Sequence, residues 1–380
     1  MADWSDLPRE LLDEILTRLD SPIDALRFRA VCSTWRQSSP SKLKSNGPQT
    51  PFSLPSHGIS LSKRSIFVLS PSETPISELP HNDNPYSWVI KIEEQNPNFF
   101  HIFFPLSWTQ IDPLPEDFPR VMDLSNIRIR ELGCEYFLRY TDKICFRGNF
   151  LNLLIEKVAI LPGINDDDFF LLTIHVSGKL ALYNSVNNIW HIVSDKIDVP
   201  YDDIIAFNGE FYAVDYTGRI VLIGCDAVDN TTILLATSFG GGDKKRLVEV
   251  GDELILVDVY MGLPPWEFAH DMENFDGYVT SKSKWFKVYR LDRKKMRWIE
   301  VKDLGNYILF LGMHSGFSAT AADLLCHKGN CIYFSFPHDI YPSHFDKDDV
   351  FKFHSGGVYN LEDASITYSD LFWPPPPWIA

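Results

Sequence analysis

The chain has 380 residues, of which 45% are hydrophobic and 14% aromatic, so it can bury a large core. Its formal net charge of −16 disfavours nucleic acid and anionic membranes as partners, because the averaged field of the molecule repels polyanions. The richest apolar stretch, FFHIFFPL, is too short to span a membrane.

The cysteines give a first indication of the compartment. All six are widely spaced without a CxxC pair, and the first residues, MADWSDLP, lack the basic and apolar regions of a secretion signal. These features favour a reducing environment. We therefore expect the protein in the nucleus, in the cytoplasm or in both.

The N-terminal stretch LPRELLDEILTRLDSPIDALRFRAVCSTWR predicts short apolar helices. After Pro8, which a first helical turn tolerates, apolar side chains recur at helical spacing on one face. Ser21 and Pro22 then supply a capping residue and a second first-turn proline. The next helix carries apolar residues in more than one direction, so part of its surface needs a cover. Segments of about 40 residues rarely fold alone, which points to the rest of the chain or a partner as that cover.

This stretch resembles the F-box motif over residues 4–40, in the order and at the spacing of Leu7-Pro8, Glu10, Leu12, Ile15, Leu19, Leu26, Arg29, Val31-Cys32 and Trp35-Arg36. The resemblance implies a three-helix module, residues 1–40, that binds the Skp adaptor of a cullin–RING ubiquitin ligase. The alternative is a helical hairpin packed on the chain's own C-terminal domain. By the resemblance, the residues that contact the adaptor or hold the shape of the module are Leu7, Pro8, Leu11, Ile15, Leu26, Val31, Cys32 and Trp35.

Residues 41–64 are rich in Ser, Pro and Lys, which predicts a linker, and β-strands are predicted beyond them. In DIIAFNGEFYAVDYTGRIVLIG, the turn dipeptides Asn208-Gly209 and Thr217-Gly218 separate three β-rich runs, as in an up-and-down meander. Similar units recur at about 40 residues, which is typical of propeller blades. We predict an α+β multidomain protein in which residues 65–380 form an all-β propeller of six or seven blades. A β-sandwich with insertions is the alternative.

The C-terminal part also resembles a known family, a large plant family that joins an F-box to a propeller-like domain of long-unknown function. The similarity lies in EYFLRY at 135–140, NGEFYAVDYTGRI, LGNYILFLG at 304–312, HKGNCIYFS at 327–335, GGVYNLEDASI at 356–366 and the terminal WPPPPWIA. It implies a propeller face that recruits substrates. The Pro374–Pro377 run predicts a strap that closes the propeller, anchored by Trp373 and Trp378, with a ligand for a proline-binding module as the alternative.

The sequence contains no recognisable catalytic motif. It has no GxSxG nucleophile elbow, and residues 240–245 lack the spacing and the hydroxyl of a phosphate-binding loop, so they predict a flexible loop between strands. We therefore expect no catalysis, no metal and no other cofactor. Two groups of potential metal ligands fit a structural role better, namely Cys326, His327, Cys331 and His338, which lack ligand spacing, and Asp166 to Asp168, which precede a buried strand.

Two segments are candidates for substrate binding. Residues 282–297 hold eight basic residues and one acid with interleaved aromatics, which suits an acidic or phosphorylated partner, although an exposed hairpin with its aromatics in the core is the alternative. The insertion over residues 261–284 interrupts the strand pattern, and long loops of this kind are often functional unless they pack on their own domain. The candidate residues are Trp266, Phe268, Lys282, Lys284 and Lys287.

Together these features predict a non-catalytic substrate-receptor subunit of a Skp–cullin–F-box ubiquitin ligase. Its expected partners are the Skp adaptor, the cullin and RING subunits reached through that adaptor, and a protein substrate. Two alternatives remain at this stage: an adaptor-tethered binding module without ubiquitin-ligase output, and a propeller enzyme with accessory helices.

Overall fold

The computed structural model describes three helices at the N-terminus and four β-sheets after them. The described residues are 4–19, 22–38, 48, 50–54, 59–72, 86–96, 99–112, 114, 118, 126–140, 155–163, 165, 168–175, 177–195, 197–225, 232–261, 284–312, 314–326, 328–335, 357–369, 371, 372 and 374–379.

Residues 4–19 and 22–38 form a small helical module. A short 3-10 helix, Trp4–Asp6, leads into α1, Arg9–Thr17, followed by α2, Pro22–Val31, and α3, Ser33–Ser38. Pro8 lies at the N-cap of α1, where a missing N–H leaves no helical hydrogen bond unmade. The predicted helices are therefore confirmed, and the third helix agrees with the module that the F-box resemblance implies.

The three helices pack mainly on one another, and the strongest helix contacts join α2 to α3 and α1 to α3. One link to the sheets comes from Arg27 in α2, whose Nη2 atom donates a hydrogen bond to the backbone carbonyl of Ile127 at 2.9 Å. This arrangement does not fit a helical hairpin whose apolar surface is covered by the C-terminal domain.

Strands account for most of the remaining described chain. Their bounds are β1 Phe52–Leu54, β2 Ile59–Pro71, β3 Trp88–Asn96, β4 Phe99–Phe103, β5 Ile127–Tyr140, β6 Ile155–Pro162, β7 Phe169–His175, β8 Leu180–Asn184, β9 Ile189–Ile192, β10 Tyr201–Phe207, β11 Glu210–Asp215, β12 Ile220–Ile223, β13 Thr232–Ala236, β14 Lys244–Val250, β15 Glu253–Met261, β16 Lys284–Asp292, β17 Arg297–Val301, β18 Tyr307–Leu311, β19 Gly316–Thr320, β20 Cys331–Phe334, β21 Gly357–Asn360 and β22 Ile366–Tyr368.

The strands form four sheets, in which most neighbouring strands are consecutive in the chain and antiparallel. The first sheet runs β4-β3-β2-β5-β6-β7-β8-β9, with β1 paired to β2, and its two halves are joined through the pair of Tyr136 and Val158. The second sheet is β10-β11-β12-β13 and the third is β14-β15-β16-β17. The fourth runs β19-β18-β20-β21-β22 and contains a parallel pair, β18 with β20.

The meander predicted around Asn208-Gly209 is confirmed. β10, β11 and β12 are consecutive antiparallel strands, and Phe207 lies opposite Glu210 across a two-residue turn. Asn208 and Gly209 have φ values of 49° and 75°. Positive φ at both central positions is what a tight hairpin turn of this hand requires, and Asn and Gly tolerate it best.

Five hydrophobic clusters show how the sheets pack. One lies between the two halves of the first sheet, and three others join the first sheet to the second, the second to the third, and the third to the fourth. The fifth joins the fourth sheet to β2 and β3, so the packing returns to the first sheet. Such radial packing is typical of a propeller. The predicted number of six or seven blades is not confirmed by these sheets.

Part of the predicted linker, residues 41–64, is folded into the first sheet, so the linker prediction is wrong for that part. β1 and the start of β2 lie within it, and Leu61 is fully buried. Arg64 is also buried. Its guanidinium donates hydrogen bonds to Glu93 at 3.0 Å and to Glu135 at 3.2 Å, and these two carboxylates compensate its charge. Paired charges of this kind let a polar sequence occupy a central strand.

The C-terminal strap lies against the first sheet. The indole N–H of Trp88 in β3 donates to the carbonyl of Phe372 at 3.1 Å, while Phe372 itself is buried beside the fourth sheet. Trp378 packs in the same cluster as Trp88, as the strap prediction requires. The other predicted anchor, Trp373, lies outside the described residues.

Candidate adaptor-binding and substrate-binding surfaces

The helical module has a small core of its own. Its buried side chains are Leu12, Leu16, Phe28 and Trp35. The ring centroids of Phe28 and Trp35 lie 4.6 Å apart. The indole N–H of Trp35 donates to the backbone carbonyl of Trp4 at 2.9 Å. This bond joins the 3-10 helix Trp4–Asp6 to α3. Contacts among its own residues therefore stabilise the module.

Large apolar side chains also lie on the outside of the module. Leu11 on α1 is 45% exposed, Val31 at the end of α2 is 52% exposed, and Trp4 is 68% exposed. Exposed apolar groups concentrated on a small module mark an interaction surface. Sequence reasoning missed Trp4, because it precedes the helical repeat and so has no periodic partner in the sequence.

The eight residues predicted from the F-box resemblance differ in exposure. Trp35 is buried in the core of the module, so it holds the shape of the module. The side chain of Leu26 is outside the described part of α2. For the other six, contact with the adaptor stays a prediction. They are either exposed, as are Pro8, Leu11 and Val31, or half-buried against the core, as are Leu7, Ile15 and Cys32.

A groove of about 700 Å³ lies between the third and fourth sheets. Its walls include apolar side chains such as Phe286 of β16 and Tyr359 of β21. Burial raises the pKa of the Tyr359 hydroxyl, although the backbone N–H of Phe286 donates to it and acts in the opposite direction. The groove is bordered by charges of both signs, from Lys287, Glu300, Lys302, Asp303, Lys328 and Glu362.

β16 carries Trp285 and Lys287 on one face and Phe286 on the other. Trp285 is 43% exposed, and its ring stacks on Tyr260 at a centroid distance of 5.0 Å. The ammonium group of Lys287 lies 5.5 Å from the centroid of the same tyrosine ring. Phe286 points to the other face and is buried. The expectation of a basic hairpin with its aromatics in the core thus holds for Phe286 but not for Trp285.

Lys287 is the candidate substrate-binding residue that the structure places. It is among the residues that line the groove, but its ammonium group lies over Tyr260 on the face of β16 opposite to Phe286. Across the groove, the side chains of Lys328 and Glu362 meet at 2.8 Å in the fourth sheet and its turns. Sequence reasoning missed these two, because no local signal links them to a strand 40 to 80 residues away. The remaining candidates have side chains outside the described part of the chain: Trp266, Phe268, Lys282 and Lys284.

Comparisons with known proteins cover both parts of the molecule. A family model described as KIB1-4 beta-propeller matches residues 58–360, and one described as F-box-like matches residues 4–42. The chain belongs to the F-box proteins with a KIB1-4 beta-propeller. The Arabidopsis thaliana F-box protein SKIP23 is 38% identical to this F-box protein over 410 residues, covering 100% of this chain and 96% of that protein. F-box protein At2g17036, from the same organism, is 34% identical over 401 residues, covering 100% and 95%.

The described part of this F-box protein contains no group of three or more His, Cys, Asp or Glu residues that could hold a metal ion. In the glycine loop before β14, the N–H of Gly242 donates to the carboxylate of Asp258 at 2.9 Å, so this amide already has an anionic partner. Cys331 is buried, and burial raises the pKa of its thiol to about 12. Outside the described residues lie His327, His338, Asp166 and Asp167.

Among the described residues, no helix is both long and apolar enough to cross a membrane.

Proposed function

We propose that this F-box protein is a substrate-receptor subunit of a Skp–cullin–RING ubiquitin ligase. The helical module would bind the Skp adaptor, and the propeller would bind a protein substrate. One observation carries the proposal: Leu11 and Val31 remain exposed on a module that has a buried core of its own. Covering a fully exposed side chain of this size contributes roughly 1.5–3 kcal/mol, so a partner gains by covering them.

In this role the chain makes and breaks no bonds itself. It holds a substrate near the ubiquitin-charged conjugating enzyme, and the gain in rate comes from the raised effective concentration. We assign substrate binding to the groove between the third and fourth sheets. Its apolar walls and its border of mixed charges suit a peptide segment that is partly apolar and carries both signs of charge.

A titration of the purified full-length chain against the Skp adaptor tests the first half of the proposal. The wild type should bind, and the double variant Leu7→Ala/Pro8→Ala should bind more weakly with an unchanged unfolding transition of the propeller. Val186→Ala is the matched control, because Val186 is an apolar residue with 68% exposure on the turn between β8 and β9. No binding by a folded wild-type chain would refute the F-box assignment of function.

Capture of proteins by the full-length chain, bound to its adaptor, tests the second half. Proteins captured by the wild type but lost with Lys328→Glu should live longer in cells that lack this chain. If their lifetimes do not change, the chain is an adaptor-tethered binding module without ubiquitin-ligase output. If capture is equal for both forms, the groove is not the substrate site.

A further inference from the structure

The turn between β16 and β17 concentrates positive charge on a chain that is acidic overall. The chain has 51 Asp and Glu residues against 35 Lys and Arg residues. We call residues 293–297 the basic turn. Its basic side chains are all exposed, and they are Arg293, Lys294, Lys295 and Arg297. The charge at this turn is therefore opposite to the charge of the whole molecule.

Hydrogen bonds fix the backbone of the basic turn. The Oδ1 atom of Asp292 accepts the N–H groups of Lys294 and Lys295, each at 3.1 Å. Arg293 anchors the turn to the second sheet, because its Nη2 atom donates to the carboxylate of Glu210 at 3.2 Å. A partner therefore meets a turn that is already ordered, which lowers the entropy cost of binding.

The remaining cations of the basic turn are available to a partner. In the described part of the chain, no carboxylate lies within ion-pair distance of Lys294, Lys295 or Arg297. By contrast, the exposed Arg290 of β16 is paired, with its Nη1 atom 2.6 Å from Glu253. The basic turn thus presents three positive charges that no described acidic side chain neutralises.

A second turn of the same length shows what the backbone alone requires. The turn between β8 and β9 also has four residues, and its last one is Asn188 with a φ of 57°. Asn tolerates this left-handed conformation better than other non-glycine residues. In the basic turn the corresponding residue is Met296, with a φ of 50° and 46% exposure. A large apolar side chain is thus held in solvent, among the cations, at a position where the backbone favours Asn.

We propose that the basic turn binds an acidic peptide segment of a partner protein. Carboxylates of the peptide pair with Lys294, Lys295 and Arg297, and an apolar side chain between them covers Met296. A short segment fits better than nucleic acid. Charges interact over only about 8 Å at physiological ionic strength, and a longer polyanion would extend from the turn over a chain with a net charge of −16.

The basic turn is separate from the groove. The groove is lined by residues 286–288 of β16 and by Glu300 and Val301 of β17. The basic turn joins the other ends of these two strands. Binding at the turn therefore does not depend on the function proposed for the groove or for the helical module.

Fluorescence anisotropy of the full-length chain with the labelled peptide Glu-Glu-Asp-Leu-Glu-Glu-Asp, at physiological ionic strength, tests the proposal. The amide peptide Gln-Gln-Asn-Leu-Gln-Gln-Asn controls for the carboxylates, and a short DNA duplex controls for polyanions in general. Saturable binding of the acidic peptide is expected, and it should weaken as sodium chloride is added. Both controls should bind much more weakly.

Lys295→Glu should weaken peptide binding about tenfold, because the reversal removes an ion pair and adds repulsion. Lys179→Glu is the matched control, because it makes the same change of charge at an exposed lysine directly before β8. It should leave the affinity unchanged. Met296→Asn should weaken binding severalfold without lowering the Tm, since Asn suits the backbone at this position.

The Tm of each variant separates a loss of binding from a loss of folding. No saturable binding by the folded wild type would overturn the proposal. Equal binding of the amide peptide or of the DNA duplex would overturn it as well. The same holds for an unchanged affinity in Lys295→Glu or Met296→Asn, or for an equal loss in Lys179→Glu.

Discussion

Two neighbouring leucines in α1 have opposite environments and therefore different expected effects. Leu11 is 45% exposed, whereas Leu12 is 0% exposed. About half of the Leu11 side chain remains for the adaptor to cover, so Leu11→Ala should weaken adaptor binding by about 1 kcal/mol, or about fivefold in Kd. The stability of the module should not fall, because alanine is a better helix former than leucine.

Leu12→Ala is the matched comparison. It removes one of the four large side chains that are buried in the described core of the module, and such truncations cost about 2–5 kcal/mol. Titration calorimetry measures the Kd for the Skp adaptor, and hydrogen exchange with mass spectrometry measures the local stability of α1 to α3. Faster exchange is expected for Leu12→Ala only. If Leu11→Ala leaves both the exchange and the Kd unchanged, the exposed side of α1 is not the adaptor surface and the reasoning fails.

Three further predictions concern the propeller. Lys245 and Asp258 form a fully buried ion pair of 2.7 Å, so Asp258→Asn should lower the free energy of unfolding by about 3–5 kcal/mol in urea, and Lys245→Met/Asp258→Leu should recover most of it. Burial alone would raise the pKa of Asp195, but hydrogen bonds, first of all from Arg219, hold it below its usual range. The stability from this carboxylate is present above its unfolded pKa of about 3.9 and is lost as the pH falls, so Asp195→Asn should flatten the acid-induced fall in Tm. Because burial raises the pKa of Cys331 to about 12, iodoacetamide at pH 8 should alkylate it only after unfolding in urea, as mass spectrometry of its peptide would show.

Each of these predictions has an outcome that contradicts it. An Asp258→Asn variant as stable as the wild type would mean that Lys245 is not left unpaired. An acid transition of the same size in Asp195→Asn would remove this carboxylate as a source of the pH dependence. Labelling of native Cys331 at the rate seen in urea would contradict the burial of its thiol.

The helical module and the central meander were predictable because their signals are local. In α1 the side chains of Leu12 and Leu16, four positions apart, share the buried face, as the helical repeat requires. Between β10 and β11 the dipeptide Asn208-Gly209 adopts the positive φ values for which these residues are suited. Neither feature depends on distant parts of the chain.

The first part of β2 was missed because its polar residues are neutralised from a distance. Arg64 looks like a linker residue in the sequence, yet it is 6% exposed between Glu93 and Glu135. These acids lie 29 and 71 positions further on, in β3 and β5. Compensation between charges that far apart leaves no periodic pattern, so composition alone favours a loop.

The substrate side was predictable only in part for a related reason. Lys287 stands out in the sequence because basic residues cluster around it. The opposite wall of the groove, with Lys328 and Glu362, belongs to the fourth sheet, and the two walls meet only when the sheets pack. A groove between sheets is a property of that packing and has no sequence motif of its own.

The hydrogen bond from Trp88 to the carbonyl of Phe372 joins residues that are 284 positions apart. At a synthesis rate of about 5–20 residues per second, the ribosome completes Phe372 roughly 15–60 s after Trp88. The bond from Trp35 to Trp4 spans only 31 positions, so the partners within the helical module are available almost at once. During translation the bond from Trp35 to Trp4 can therefore form long before the bond from Trp88 to Phe372. A chain terminated shortly before residue 372 would retain the helical module without the hydrogen bond that joins β3 to the C-terminal strap.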